Sequence, residues 1–178
     1  MKVRACILIL IVLTGCNNRE VREVDQFEKY IAEGNSRLVQ KDLAGARTSY
    51  LMAEGVARES NWVDGEVIAK INVAQVSSAG KNYDQAADIL NSARGVCIQN
   101  AACDAAQLAS VYEAMMFLYA VNMRRPEQIT DLVVDMSEHQ DRLGGCNETL
   151  RLIALSASHL KAAGFEAEAD AVRRSGCK

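Results

Sequence analysis

The chain of 178 residues is long enough for one domain with a hydrophobic core of its own. Its single proline, its aromatic content of 5% and its many Ala, Glu, Gln, Leu and Arg residues are typical of helices rather than strands. The formal net charge is −3 and no basic block occurs, which argues against nucleic acids and anionic lipid headgroups as ligands. Composition therefore predicts an all-α domain.

The chain begins with the pattern of a secretory signal. Lys2 and Arg4 precede the apolar run 5–13, which would form a helix of roughly 14 Å, too short for a hydrocarbon core of about 30 Å. We therefore expect residues 1–15 to be a cleaved signal peptide and not a membrane span. Cleavage removes the positive charges of Lys2 and Arg4, which changes the net charge from −3 to −5.

The run ends in Leu13-Thr14-Gly15-Cys16, which resembles the lipobox of bacterial lipoproteins. The resemblance implies that Cys16 is diacylated on sulfur, follows the cleavage site behind Gly15 and is then acylated on its amine. Three acyl chains would hold the protein on a membrane, since each buried methylene contributes about 0.8 kcal/mol. By the family's sorting rule, Asn17 favours the outer membrane and its periplasmic face. In the alternative, the signal is an ordinary one and Cys16 is only a cysteine.

The remaining chain divides into a short tether, 16–20, and a helical domain, 21–178. Apolar residues recur there at three- and four-residue intervals, as on one face of a helix. The predicted helices cover about residues 20–40, 43–59, 62–79, 83–95, 105–122, 126–143, 148–163 and 165–174. Short loops between them predict four antiparallel hairpins.

Residues that suit helix ends mark several of these boundaries. Asp42, Asn61 and Asn82 are predicted N-caps of the second, third and fourth helices. Gln85 follows Asn82 at the spacing of a capping box. Gly80 is predicted to end the third helix, since glycine readily adopts the left-handed conformation of a helix C-terminus.

The hairpins contain an internal repeat. Equivalent places in successive hairpins, separated by 40, 43 and 40 residues, hold Ala46, Ala86, Ile129 and Ala169. In the first two hairpins the match extends to Gly34, Ala46, Tyr50 and Ala53 against Ala74, Ala86, Leu90 and Ala93. This pattern resembles the tetratricopeptide repeat, whose small residues let two antiparallel helices approach closely while a large one, here Tyr50 or Leu90, packs between neighbouring hairpins. The resemblance implies a right-handed solenoid of four hairpins, and the alternative is an ordinary bundle of α-hairpins.

Four cysteines are left once those of the signal and of the lipid attachment are set aside. An even number in an oxidising compartment predicts two disulfide bonds. Cys97 and Cys103 bracket the turn between the fourth and fifth helices, while Cys146 and Cys177 lie at the open end of the last hairpin. We expect these two pairs, since the other pairings would cross hairpins.

The sequence lacks the residue sets that catalysis requires. His139 and His159 lie in different predicted hairpins without HExxH spacing, and neither a CxxC pair nor a glycine-rich phosphate loop occurs. Asp135, Glu138 and His139 share one helical face, a pattern typical of solvated charges. We therefore predict no catalytic residue, no metal site, no cofactor and no small-molecule substrate.

These predictions favour an interaction protein. The repeat resemblance implies a concave face, lined mainly by odd-numbered helices, that binds a partner. Candidate partner-binding residues on that face are Asn35, Gln75, Asn122 and Ser158. Lipoproteins similar in layout include secretin pilotins of type IV and Tad pili, a component of the outer-membrane protein assembly machinery and cell-wall-enzyme adaptors. The expected function is a lipid-anchored scaffold for an envelope machine, with a secretin, pilus or assembly subunit as partner; the alternative is a periplasmic enzyme on an α-helical scaffold.

Overall fold

A computed structural model describes residues 22–176, and all regular secondary structure in that range is helical. The predicted all-α class is therefore confirmed. The helices are α1 (22–39), α2 (Leu43–Glu59), α3 (Val63–Ala79), α4 (Tyr83–Gln99), α5 (Ala105–Phe117), α6 (Pro126–Glu138), α7 (Cys146–Ala162) and α8 (Glu166–Arg173). The predicted signal peptide, the predicted lipid site Cys16 and the tether lie outside the described residues.

The turns that join the first four helices share one conformation. Their middle residues, Lys41, Asn61 and Lys81, are left-handed with φ of 63°, 55° and 63°. In each turn the next backbone N–H donates to the carbonyl five residues earlier, as in a Schellman motif. Helix α3 ends before Gly80 as predicted, but Gly80 has an ordinary φ of −78° and does not supply the left-handed residue. Lys81 supplies it.

One of the predicted N-caps is confirmed by its hydrogen bond. The Asp42 carboxylate accepts from the backbone N–H of Gly45 at 2.9 Å, which satisfies one donor at the start of α2. Asn61 does not cap α3, because it occupies the left-handed position of the turn and Trp62 takes the N-cap position. A residue that occupies the left-handed position of the turn cannot at the same time be the N-cap residue of the helix.

The predicted capping box at the start of α4 is wrong. Asn82 stands at the N-cap position but makes no side-chain capping bond. The side-chain oxygen of Gln85 instead accepts one hydrogen bond from the Arg47 guanidinium at 3.0 Å and another from the Ser77 hydroxyl at 3.2 Å. Gln85 therefore connects α4 to α2 and to the end of α3.

Three helix ends differ clearly from the prediction, and one of them is the end of α6, which stops at Glu138 rather than near residue 143. Helix α4 continues through Gly95 to Gln99, since a glycine inside a helix costs only about 1 kcal/mol and Cys97 beyond it is fully buried. Helix α5 stops at Phe117, and Leu118–Asn122 form a π-helical turn in which the Met123 N–H donates to the Leu118 carbonyl at 2.9 Å.

Successive hairpins are tied together by side chains. Each helix from α2 onward contacts its neighbour in sequence, and α3 also contacts α5, which contacts α7. Hydrogen bonds between hairpins join residues 38 to 45 positions apart: Arg47 with Gln85, Asp64 with Asp104, Ser78 with Asn122, Arg94 with Asp135, Cys97 with Arg142 and Glu113 with Arg151. The spacing corresponds to one hairpin, so each hairpin bonds to the next.

The repeat positions form the contact between paired helices. All of them in the first two hairpins are buried: Gly34, Ala46, Tyr50, Ala53, Ala74, Ala86, Leu90 and Ala93. A Cβ atom placed on Gly34 would overlap the ring of Tyr50, which shows how closely α1 and α2 approach there. Small side chains at these places therefore allow the helices to pack.

The predicted disulfide between Cys97 and Cys103 is confirmed, with a Cα–Cα distance of 5.0 Å. Cys146 is also disulfide-bonded. Its predicted partner Cys177 lies outside the described residues, so that pairing stays a prediction. Within residues 22–176, no helix is both long enough and apolar enough to cross a bilayer.

Candidate binding groove

A groove of about 380 Å³ lies where α3, α4 and α5 meet. Its lining consists of Ile71, Ala74, Gln75, Ser78, Ala86, Leu90, Ala114, Phe117 and Leu118. None of these residues is ionisable, and the volume is within the range of about 300–1,000 Å³ that is usual for ligand sites. We call this feature the α3–α5 groove.

One edge of the α3–α5 groove is formed by an exposed aromatic ring. Phe117, the last residue of α5, keeps 48% of its surface exposed although α5 is otherwise largely buried. Its ring meets the imidazole of His159 edge-on, with ring centroids 5.8 Å apart, so α7 supports it from the side. Exposed aromatic surface beside an apolar groove is typical of an interaction site.

The structure brings two of the four predicted partner-binding residues to the α3–α5 groove. Gln75 lies in its wall on α3 with an exposed side chain. Asn122 lies in the π-helical turn and donates from Nδ2 to the Ser78 hydroxyl at 2.5 Å. Since Ser78 lines the groove, Asn122 orients one of its walls.

The other two predicted residues lie elsewhere. The side-chain oxygen of Asn35 accepts a hydrogen bond from the Tyr50 hydroxyl at 2.6 Å, which ties α1 to α2. Ser158 is exposed on α7 and donates to the Ala154 carbonyl of its own helix at 3.0 Å. Neither residue lines the groove, and their part in partner binding stays a prediction.

The sequence did not single out Phe117 or Ala114 as parts of a binding site. Both lie on α5, whose helical pattern predicted a continuous buried helix to Asn122. The π-helical turn after Phe117 changes the direction of the side chains that follow. The helical period of 3.6 residues does not reveal a π-helical turn. The edge of the groove at Phe117 could therefore not be predicted from the sequence.

A second polar cluster joins α4, α5 and α6 around Asp135. The Asp135 carboxylate accepts from the Tyr112 hydroxyl at 2.5 Å and from Arg94 at 3.0 Å. His139 lies 3.6 Å from its other oxygen. The side chain of Asp135 is only 22% exposed, so the prediction of a solvated face is wrong for this residue, although Glu138 is exposed.

Burial raises the pKa of Tyr112 far above its ordinary value, and the hydrogen bond to Asp135 and the negative charge there raise it further. The phenol therefore remains protonated and continues to donate to Asp135. Because the carboxylate is engaged by two donors, we interpret the cluster as a link between helices. Among the described residues, no three His, Cys, Asp or Glu side chains are grouped as metal ligands would be.

Comparison with known proteins finds no matching family model, no matching curated protein and no matching solved structure.

Proposed function

We propose that this protein is a lipid-anchored periplasmic scaffold that binds a protein partner in the α3–α5 groove and assists the assembly or localisation of an envelope machine. The observation that carries the proposal is the groove itself, which is apolar, open at Phe117 and lined without an ionisable side chain. Grooves of this kind accept apolar side chains of a partner helix or peptide, with a few polar groups that fix its orientation.

The arrangement of the hairpins supports this proposal. Two observations favour a stack of repeats. Hydrogen bonds join residues that are 38 to 45 positions apart, and α5 contacts both α3 and α7. In the proposed right-handed solenoid, odd-numbered helices form one continuous face, and the groove lies on it. The tetratricopeptide-like positions supply the close packing that such a stack needs.

The location is proposed from the sequence around Cys16. The resemblance of Leu13-Thr14-Gly15-Cys16 to a lipobox and the presence of Asn17 favour an anchor on the periplasmic face of the outer membrane. The tether 16–20 is short, so the groove would work close to the membrane. The partner is then a secretin, pilus or assembly subunit in the same compartment.

The test introduces a charge into the groove. Gln75→Arg places a guanidinium where no ionisable group lies, and burying that charge against a partner without a counter-charge is unfavourable. We expect capture of the envelope partner to be lost, measured by affinity purification from envelope extracts with quantitative mass spectrometry. The control is Gln99→Arg, the same change at an exposed site outside the groove. Both variants should keep their stability within about 0.5 kcal/mol.

Complementation in cells distinguishes the scaffold from the enzyme. We expect Gln75→Arg to fail and His139→Ala to restore function, since the imidazole is not part of the groove. The reverse pattern, in which a folded His139→Ala protein fails and Gln75→Arg succeeds, would contradict the scaffold and favour a periplasmic enzyme.

A further inference from the structure

The Cys97–Cys103 disulfide lies between two halves of the described chain. The first half (22–99) contains α1 to α4, and the second half (105–173) contains α5 to α8. The bond joins residues six positions apart, and its cysteines are only 0% and 7% exposed. It therefore fixes the loop through which the end of α4 leads to the start of α5.

This closed loop accepts hydrogen bonds from a guanidinium of the second half. Arg142 lies between α6 and α7, and its Nη2 donates to the Cys97 carbonyl at 2.8 Å and to the Asn100 carbonyl at 2.6 Å. Carbonyls at the C-terminal end of a helix lack partners within the helix, and the helix dipole there is negative. The disulfide holds both acceptors in place for one donor atom.

A second hydrogen bond between the halves begins beside Cys103. Asp104 is the N-cap residue of α5, and its backbone N–H donates to the carboxylate of Asp64 in the first turn of α3 at 2.9 Å. Leu143, which follows Arg142, is 1% exposed and belongs to the same apolar cluster as both cysteines. The loops before α5 and α7 thus meet the start of α3 at the disulfide.

We propose that the Cys97–Cys103 disulfide is a redox-dependent clamp between the two halves. With the bond formed, Arg142 and Asp64 dock on the closed loop. With two thiols in its place, the loop has more conformational freedom and these contacts open. The clamp is therefore closed in an oxidising compartment and open in a reducing one, whether or not a partner occupies the α3–α5 groove.

The clamp closes by thiol–disulfide exchange. The thiolate of one cysteine attacks the disulfide of an oxidant, glutathione disulfide or a thiol oxidoreductase, and one oxidant thiolate leaves. The thiolate of the other cysteine attacks the mixed disulfide and releases the second oxidant thiolate. Two electrons pass from the cysteine sulfurs to the oxidant sulfurs, and the two thiol protons end on the oxidant thiols. Since both cysteines are buried in the docked structure, the exchange takes place in the open form.

Docking and oxidation are coupled by thermodynamic linkage. If Arg142 and Asp64 bind the closed loop more tightly than the open loop, the docked contacts favour the disulfide by the same factor. Hydrogen bonds to charged groups are stronger than neutral ones, and the loss of one corresponds to roughly ten- to a hundredfold in an equilibrium constant. Loss of either docking group should therefore make the disulfide easier to reduce.

The thiol–disulfide equilibrium of this cysteine pair in the full chain tests the coupling. The protein is equilibrated in glutathione buffers of graded redox ratio, its thiols are trapped by alkylation, and mass spectrometry quantifies the peptide that contains both cysteines. We expect Arg142→Gln to lower the equilibrium constant for disulfide formation about tenfold. Asp64→Ala, which removes the more exposed contact, should lower it about two- to tenfold.

Arg151→Gln is the matched control, because it makes the same change at an arginine that bonds within the second half, to Glu113 and Glu148. Its equilibrium constant should stay within about twofold of that of the unchanged chain, since these ion pairs are exposed. If Arg142→Gln does not fold, Asp64→Ala decides alone. Folded docking variants whose constants equal that of the control would overturn the clamp.

Hydrogen exchange measures where the reduced chain opens. After reduction with a phosphine, we expect the Asp104 amide to exchange at least about tenfold faster, since Asp64 no longer holds it. The Met123 amide, which donates to the Leu118 carbonyl at the opposite end of α5, should be unchanged. Reduction also opens the disulfide of Cys146, so oxidised Cys146→Ala is the control and should keep Asp104 protected. Equal exchange of Asp104 before and after reduction, or equal loss of protection at Met123, would overturn the proposal.

Discussion

At the scale of single residues, Asp135 shows how a carboxylate on a helix surface becomes a link between helices. Its oxygen accepts from Tyr112 of α5 and from Arg94 of α4, while Asp135 itself belongs to α6. Two donors that are largely withdrawn from water thus depend on one acceptor. Loss of that acceptor should lower the free energy of unfolding more than loss of an exposed charge does.

We expect Asp135→Ala to lower the free energy of unfolding by about 1–3 kcal/mol, because the donors of Tyr112 and Arg94 lose their partner. Urea denaturation followed by circular dichroism measures this change. Asp131→Ala removes an exposed carboxylate one turn earlier on the same helix and should stay within about 0.5 kcal/mol. Equal effects of the two variants would contradict the role assigned to Asp135.

The raised pKa of Tyr112 makes stability depend on alkaline pH. Its neutral phenol is favoured in the folded protein, so this contribution is complete below the unfolded value of about 10 and is lost as the pH rises above it. Tyr112→Phe should therefore reduce the slope of unfolding free energy against pH by up to about 1.4 kcal/mol per unit. Urea midpoints measured from about pH 9 to 11.5 give both slopes. Parallel curves for the two proteins would contradict the prediction.

At the scale of elements, the three-residue turns set the period of the first four helices. Each turn places one residue in the left-handed region, and two of the three are lysines, for which this conformation is unfavourable. Asparagine tolerates it better, because its short side chain can bond locally. The turn hydrogen bonds therefore hold two residues in a conformation that glycine would adopt more readily.

We expect Lys81→Gly to raise the free energy of unfolding by up to about 1 kcal/mol, the relief of the left-handed strain less the added flexibility of the unfolded chain. Thermal and urea denaturation measure the gain. Asn61→Gly occupies the equivalent place in the previous turn and should gain less. If the asparagine variant gains as much as the lysine variant, the strain is not specific to the long side chain.

The helices could be predicted from the sequence more accurately than their ends. Apolar residues at helical spacing indicated every helix, because burial of one face is the main force that forms it. The predicted end at Gly95 was wrong, and at Gly80 the helix ended as predicted but Lys81, not the glycine, took the positive φ. The conformation of a turn depends on which of its residues takes a positive φ. A helix continues past a glycine when its next turn packs against the core. The residue type alone therefore predicts neither the turn conformation nor the helix end.

At the scale of the whole molecule, two of the four predicted partner-binding residues lie at the α3–α5 groove. Gln75 lies in its wall and Asn122 bonds to Ser78, but only Gln75 is one 40-residue period from another predicted residue, Asn35, whereas Asn122 follows Gln75 by 47 residues. The groove itself could not be predicted. It lies where α3, α4 and α5 meet, and the way in which helices of two hairpins meet does not follow from the helical period of any one of them.

The location of the whole molecule depends on one cysteine outside the described residues. If Cys16 carries the lipid, Cys16→Ser should release the protein from the membrane fraction without a change in melting temperature, since α1 to α8 and the groove are untouched. Density-gradient fractionation with immunoblotting measures the distribution. Asn17→Asp keeps the predicted lipid site and, by the sorting rule of the family, should move the protein to the inner membrane. A Cys16→Ser protein that stays wholly in the outer-membrane fraction would contradict lipid anchoring, because no acyl chain would then hold it there.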